Sequence, residues 1–386
     1  MFFQGYERPD GRFGIRNKVL ILPASVCASD TCRLISSQVN DTVAVSNQSG
    51  CGQSPMDLKI TLDTYAGFAA NPNIYGTIGV TLGCDDITVD MFRDAIRKRT
   101  NKPLSILCIQ DLGGTLKTIE EGSRIARQMV MEASILKTKE VPISELILGT
   151  ECGGSDPTSG LAANPVLGKL SDFLVEHGGT SILSETGEIL GGEHILTARM
   201  TNEEEIKKLL YWAGHFNEQF KAVGEPEFMR NLSEGNIRAG LSTSEEKSLG
   251  CIKKIGDGEI KQVLNYAECP TVRGHVFMDT PGFDAASLSG MIAGGAQICV
   301  FTTGLGSPIG NPIAPVIKMT GNYMTYNKMK DNIDFDASPA LTEGKTLDEI
   351  AELLIREFME TVNGKKTKAE IYGFNEISLQ RLCNFS

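Results

Sequence analysis

Leu146-Ile-Leu-Gly-Thr-Glu-Cys152-Gly-Gly-Ser-Asp156 runs from a short apolar stretch straight into a glycine-flanked cysteine. Two earlier segments do the same: Val43-Ala-Val-Ser-Asn-Gln-Ser-Gly-Cys51-Gly-Gln53 and Ile78-Gly-Val-Thr-Leu-Gly-Cys84-Asp-Asp86. A short apolar run bounded by turn residues reads as a buried strand. Open α/β sheets bind ligands in the crevice beyond the carboxyl ends of their strands. Three soft thiolates delivered to such a crevice suit iron, zinc or an iron–sulfur cluster.

Outward from these turns, strand-like and helix-like patterns alternate. Residues 18–23, 42–45, 76–82 and 104–109 read as strands, and residues 30–37, 54–69, 89–99 and 115–135 as helices. Such alternation predicts an α/β fold with mostly parallel sheets and flanking helices. Lys137-Thr-Lys-Glu-Val-Pro142 breaks the pattern with charge and proline. A domain boundary is placed there, giving residues 1–137 and 138–386. The second portion reads as strand 145–148, helix 165–177 and strand 180–183. Pro165 in the first helical turn and Gly178-Gly179 after the last agree with normal helix punctuation. Residues 203–223 read as a helix and 225–247 as an irregular loop. Strands at 275–279 and 296–302, a helix at 315–328 and an amphipathic helix at 347–361 complete a Rossmann-like C-terminal domain.

The formal net charge is −11. Nucleic acid and anionic membrane are poor partners for such a surface. Small anions still fit a local cationic patch, for which Arg8, Arg12, Arg16 and Lys18 are candidates. Aromatics are 6% with one Trp, too few for a sugar groove lined by stacked rings. The start lacks a signal-peptide pattern. No apolar run is long enough to span a bilayer. A cytoplasmic protein with ten reduced cysteines is expected.

Gly5-Tyr-Glu-Arg-Pro-Asp-Gly-Arg-Phe-Gly-Ile-Arg-Asn17, Gly50-Cys-Gly-Gln53 and Gly83-Cys-Asp85 resemble the catalytic portion of the altronate and galactarate dehydratases. Glu151-Cys-Gly-Gly-Ser-Asp-Pro-Thr-Ser-Gly-Leu-Ala-Ala-Asn-Pro165, Ser184-Glu-Thr-Gly-Glu188 and Gly191-Gly-Glu-His194 continue the resemblance in order. So do residues 241–250, Met278-Asp-Thr-Pro-Gly282 and Phe301-Thr-Thr-Gly-Leu-Gly-Ser307. It covers nearly the whole chain. It implies a hydro-lyase that acts on a small anionic sugar acid and needs iron, built as a homodimer. Full-length members resemble this chain preceded by a small β-clip domain of the SAF type. Here that domain is expected on a separate small subunit. The split sulfolactate sulfo-lyases are expected to lack the Gly-Cys-Gly-Gln turn, so Cys51 and Cys84 favour the dehydratase branch.

Dehydrating a 2,3-dihydroxy acid requires loss of a weakly acidic C2 proton and of hydroxide. A Lewis acid and a positioned base serve those two steps. Cys51, Cys84 and Cys152 are the expected iron ligands, for mononuclear Fe2+ or an iron–sulfur cluster, with Mn2+ as an alternative metal. Their convergence would require a site between the two domains. The competing reading is that buried cysteines are simply small apolar residues, which is preferred for Cys108, Cys251, Cys269, Cys299 and Cys383. His194, after Gly191-Gly192, is the candidate base, with Glu193 and Glu185 as proton-handling or ligand carboxylates. Glu188 and Asp279 are also at strand ends. His177, His215 and His275 read as structural or solvated. Lys247 is placed to neutralise the substrate carboxylate or to act as a base. The same stretch also reads as a capped helix start, with Ser242 or Thr243 as cap.

Ser155, Asp156 and Asn164 are candidate substrate contacts, together with Thr303, Gly304 and Ser307. The last three lie on a loop whose amides, ahead of a helix, suit an anion. A dinucleotide fingerprint is rejected, because Ile309 stands where its third glycine belongs. Two other functions compete: a C–S lyase acting on a sulfonated hydroxy acid, and a non-catalytic binding or scaffold subunit.

Overall fold

The computed structural model describes residues 1–222, 224 and 231–383. Its strands are β1 (Phe2–Glu7), β2 (Phe13–Gly14), β3 (Lys18–Pro23), β4 (Thr42–Ala44), β5 (Ile74–Thr81), β6 (Leu104–Cys108) and β7 (Lys139–Pro142). They continue with β8 (Ile147–Cys152), β9 (Thr180–Leu183), β10 (Ile260–Leu264), β11 (Gly274–Met278), β12 (Ile298–Thr302), β13 (Val316–Thr320) and β14 (Phe335–Asp336). Three sheets form. One is parallel, in the order β4-β3-β5-β6. A larger parallel sheet has the order β10-β11-β9-β8-β12-β13-β14. The third is small and runs β2-β1-β7, with β1 antiparallel to both neighbours. The expected α/β class with mostly parallel sheets is the one observed.

In the large sheet the chain starts at the central strand β8. It moves out through β9 to β10 and β11, then returns to β12 on the other side of β8. The carboxyl end of β8 is therefore the topological switch point, where open sheets leave a crevice. Side chains alternate between the sheet's faces. Ile298 and Val300 join the core beneath helices Asn164–Glu176 and Leu347–Val362. Cys299 and Phe301 face the opposite core, with helix Asp284–Ala293.

That second core is shared between the two parallel sheets. Leu20, Leu22, Tyr65 and Phe68 pack with Val276, Met291 and Phe301. Gly67 is a glycine because a Cβ there would sit 2.3 Å from the Ala293 carbonyl oxygen. The Asn71 amide donates to the Ile292 and Ala296 carbonyls, and the Asn73 amide to those of Gln297 and Ile313.

Several expectations need correction. The run at 315–328 is strand β13 followed by a short helix, Tyr323–Lys328. A short buried apolar run carries no usable period, so helix and strand look alike. The charged stretch at 137–142 contains β7, an edge strand paired with β1. Of the irregular loop, Glu225–Arg230 falls outside the described residues, as does Val223 of the preceding helix. The remainder holds helices Glu234–Arg238 and Ser244–Ile252. The basic patch is spent internally. Arg8 donates to the Pro72 and Arg16 carbonyls, and Arg16 pairs with Glu370 at 2.8 Å. Arg12 donates to the Ala70 carbonyl, and Lys18 to that of Pro312. No described helix is long and apolar enough to cross a membrane.

Candidate active site

The carboxyl end of β8 carries two buried functional side chains in succession, Glu151 and Cys152. Beyond β9 the chain turns sharply at Glu185, whose φ is +72°. This left-handed conformation is costly for a non-glycine residue and tends to be kept at functional sites. The Glu185 N–H donates to Thr280 Oγ1 at 2.8 Å, fixing the turn. Glu188 follows on the short helical turn Thr186–Ile189.

Opposite these carboxylates stands helix Ser244–Ile252 and the turn Lys253–Ile255. Lys247, Cys251 and Lys254 recur at the spacing that stacks side chains on one helical face. Lys254 is fully buried. Its ammonium donates to Glu185 Oε2 at 2.5 Å and to Cys152 Sγ at 3.0 Å. Lys247 pairs with Glu188 Oε1 at 2.7 Å and donates to the Asn231 carbonyl. The Cys152 thiol donates to Glu188 Oε2 at 3.1 Å. One Glu151 oxygen accepts from the Ser287 and Ser184 hydroxyls.

The electrostatics follow from burial and neighbours. Burial, then Glu185, pushes the Glu151 carboxyl well above its ordinary range, against Lys254. Burial also raises Glu185, helped by the Glu188 charge. Glu188 is buried too, yet Lys247 and Lys254 hold it below the usual carboxylate value. Burial opposes the charge on Lys247 as well, but Glu188 prevails and its pKa rises. Cys251 at hydrogen-bond distance, and then burial, raise the Cys152 thiol. Asp284, partly buried beside Glu185 and Glu188, is pushed up to about 7, with burial the leading cause.

Two donor groups here have metal-ligand spacing: Cys152, Glu185, Glu188 and Cys251, and the purely carboxylate set Glu151, Glu185 and Asp284. In the first, the Lys254 ammonium already supplies the positive charge. In the second, Glu151 Oε1 and Glu185 Oε1 are buried without a hydrogen-bond partner. Buried carboxylate oxygens cost free energy unless paired or ligating. The carboxylate set therefore fits a divalent cation, and all-oxygen donors suit Mg2+, Mn2+ or Fe2+ more than softer ions. Gly153 makes room here: a Cβ would lie 2.3 Å from Asp284 Oδ2.

A cleft of about 310 Å³ adjoins this group. Ser155, Asp156, Asn164, Glu246, Lys247 and Lys253 are among its lining residues. Lys247 thus stands at both the cleft and the buried carboxylates. Asn164 is held by Thr302 Oγ1 and the Gly250 carbonyl, and Asp156 caps the turn at Thr158 and Ser159.

Other expected residues fall elsewhere. Cys51, Cys84 and Cys152 do not form one ligand group among the described residues. Cys152 is buried in the charge cluster, while Cys51 and Cys84 are exposed on loops of the smaller parallel sheet. Similar strand-end turns serve different sheets. The cluster is drawn from residues 151–284 alone, not from both portions of the chain. His194 is exposed on helix Glu193–Thr197, and Glu193 is partly buried on the same turn, both outside the group. Thr303 Oγ1 accepts from the Gly306 N–H and Ser307 Oγ from the Ile309 N–H, so these hydroxyls shape their own loop. Gly304 packs against Asp156, and strand β13, not a helix, follows the loop. Thr186 Oγ1 donates to Asp279. His275 is buried against Asp172 at 3.1 Å, in keeping with a structural role. Glu151, Cys251, Lys254 and Asp284 were not foreseen. The Lys247, Cys251, Lys254 spacing was the one available signal.

The model described as D-galactarate dehydratase/Altronate hydrolase, second domain, matches residues 5–134. That described as D-galactarate/Altronate dehydratase, C-terminal, matches residues 143–384. This chain belongs to the D-galactarate/altronate dehydratase family. Its relatives named below are lyases, carbon–oxygen lyases among them. The chain is 37% identical over 388 residues to the (2R)-sulfolactate sulfo-lyase subunit beta of Chromohalobacter salexigens, covering 98% of this chain and 97% of that one. It is 32% identical over 391 residues to the altronate dehydratase of Bacillus subtilis, covering 98% and 77%. It is 33% identical over 313 residues to the L-threo-forming galactarate dehydratase of Escherichia coli, covering 80% and 60%.

Proposed function

We propose that this family member dehydrates a sugar acid, an altronate-type aldonate or an aldarate, to a 2-keto-3-deoxy acid. The observation that carries the reading is the buried carboxylate group with unpartnered oxygens on Glu151 and Glu185, joined to a cleft through Lys247. Glu151, Glu185 and Asp284 would hold a divalent ion, Fe2+ in this reading. When bound, the ion supplies Lewis-acid stabilisation of charge on the substrate's carboxylate and leaving hydroxyl.

The chain's own residues divide the remaining work. Lys247, kept protonated by Glu188, attracts the substrate carboxylate. Ser155 and Asn164 line the cleft where sugar hydroxyls would lie. Glu188, held ionised between Lys247 and Cys152, is assigned to accept the C2 proton. Lys254 balances the buried negative charge so that the group stays ordered without substrate. Residues 1–137 are assigned to dimerisation, residues 138–386 to the chemistry, and a small second subunit to completion of the enzyme.

A second reading has its own support. Similarity to a sulfo-lyase beta subunit extends over almost the full length of both chains. Elimination of sulfite from a sulfonated 2-hydroxy acid needs the same proton acceptor and the same cation for the carboxylate. The two readings separate in one experiment. Aldonates, aldarates and sulfolactate are incubated anaerobically with Fe2+ and the full chain, with and without a candidate small subunit. 2-Keto-3-deoxy product from a sugar acid supports the first reading. Sulfite from sulfolactate, with no sugar-acid turnover, selects the second.

A further inference from the structure

Lys253 stands on the wall between two clefts. One is the cleft of about 310 Å³ beside the buried carboxylates, and the other holds about 350 Å³. Leu249 and Lys253 line both. The lysine is exposed, and among the described residues no hydrogen bond or ion pair engages its ammonium. The other charges around it are committed. Lys247 is paired with Glu188 at 2.7 Å. Asp156 accepts from Thr158 Oγ1, the Ser159 N–H and Asn322 Nδ2. Glu246 is turned back onto the N–H and hydroxyl of Ser242. In the second cleft Arg199 and Asp257 carry opposite charges, and Arg199 donates to the Gly258 carbonyl.

Local structure brings two lysines to one opening. Helix Ser244–Ile252 runs on through Lys253, whose φ of −62° and ψ of −21° are helical. Lys247 and Lys253 are thus about 9 Å apart along the helix axis. The helix lies close against the turn Ser159–Ala163, where a Cβ on Gly250 would come within 3.1 Å of Gly160 Cα. Gly160, Leu161, Leu249 and Gly250 supply uncharged wall to the cleft that both lysines line. An ammonium over such a wall attracts an anion more strongly than it does in open water. Lysine offers three donors on a flexible stem, which suits the end of a small acid.

We infer that Lys253 selects substrates that carry a second anionic group. The reacting carboxylate goes to Lys247, and the far carboxylate or sulfonate of a dianionic hydroxy acid goes to Lys253. A monoanionic aldonate presents only a hydroxyl at its far end, which leaves this ammonium without a counter-charge. The inference rests on the reading of this cleft as the one that takes substrate, and it narrows the substrate to a dianion. A terminal carboxylate and a sulfonate share the chemistry. Lys253 determines specificity and takes no part in proton transfer. A lysine at a helix end also complements the dipole. That role alone would change stability and not the choice of substrate.

The test assays the full chain with Fe2+, without oxygen, on an aldonate, an aldarate and sulfolactate, as wild type, Lys253→Gln and Lys253→Arg. The kcat/KM ratio of dianionic over monoanionic acid should fall about tenfold or more in Lys253→Gln, as for one lost hydrogen bond to a charged group, and recover in Lys253→Arg. Added salt should shrink the wild-type preference. Where a dianionic acid alone reacts, its KM should rise in Lys253→Gln more than its kcat falls. A 2-keto product from the aldarate assigns the far group as a carboxylate, and sulfite release assigns it as a sulfonate. A wild-type preference for the aldonate, or an unchanged ratio or KM in Lys253→Gln, overturns the inference and leaves the dehydratase reading standing. If no acid is turned over, a binding arm decides. Tartrate, a dianion, and glycerate, a monoanion, are titrated calorimetrically into wild type and Lys253→Gln. A tartrate affinity that drops about tenfold in the variant, with a smaller change for glycerate, keeps the site while the dehydratase reading fails. Equal tartrate binding by both proteins, or none by wild type, overturns the inference.

Discussion

Glu185 carries much of the local argument. It is fully buried, has a left-handed backbone, gives one oxygen to Lys254 and leaves the other unpartnered. Removing its counter-charge strands a buried anion. Lys254→Met is therefore expected to lower the unfolding free energy by about 3–5 kcal/mol, read from the urea midpoint. An unchanged midpoint would show that Glu185 and Cys152 do not depend on Lys254. A second ion pair lies away from the site. Burial opposes ionisation of Glu370, yet the Arg16 guanidinium holds its carboxyl below the usual 4.5. A lowered folded pKa stabilises above the unfolded value, and the benefit is lost as pH falls through the folded one. Glu370→Gln should cost about 1–3 kcal/mol at neutral pH, with the gap to wild type closing below pH 4.5. A gap that widens in acid contradicts that sign. Part of the site was legible residue by residue. Cys152, Glu185, Glu188 and Lys247 follow from strand-end turns and a capped helix start. Glu151 was hidden inside a strand, and Asp284, Cys251 and Lys254 lie on helices whose facing partner no local pattern names.

At the level of elements, the contact between helices Pro55–Ala70 and Asp284–Ala293 is the tightest test of the packing. Gly67→Ala would set a methyl against the Ala293 carbonyl. Overpacking of this kind costs about 1–3 kcal/mol, and a thermal shift assay should show the loss. An alanine variant as stable as wild type would mean the helices do not approach so closely. The same elements show what periodicity can supply. Strands 18–23 and 180–183 and helix 89–99 appear where the pattern set them. The β1–β7 pairing joins residues far apart in sequence, and the charge and proline of β7 suit an edge strand as well as a linker. Strand β10, Ile-Lys-Gln-Val-Leu, lacks clean alternation because its register slips between Ile260 and Gln262. The three thiol-bearing turns looked equivalent because each follows a strand. Which sheet a strand joins is a tertiary fact.

For the molecule as a whole, the shared core matters most. Residues of both parallel sheets bury one another, and Asn71 and Asn73 stitch backbone carbonyls across the junction. Scanning calorimetry should therefore show one cooperative transition. Two resolved transitions would mean that the sheets fold independently. The central claim is that the carboxylate group at the switch point of the large sheet performs the elimination. The most direct measurement is kcat/KM of Glu185→Gln against wild type, on whichever hydroxy acid the anaerobic panel identifies, with circular dichroism confirming the fold. The expected result is a fall of roughly a hundredfold or more, as for loss of one group that stabilises the transition state. A folded variant with turnover within about twofold of wild type, far short of such a loss, would contradict the account.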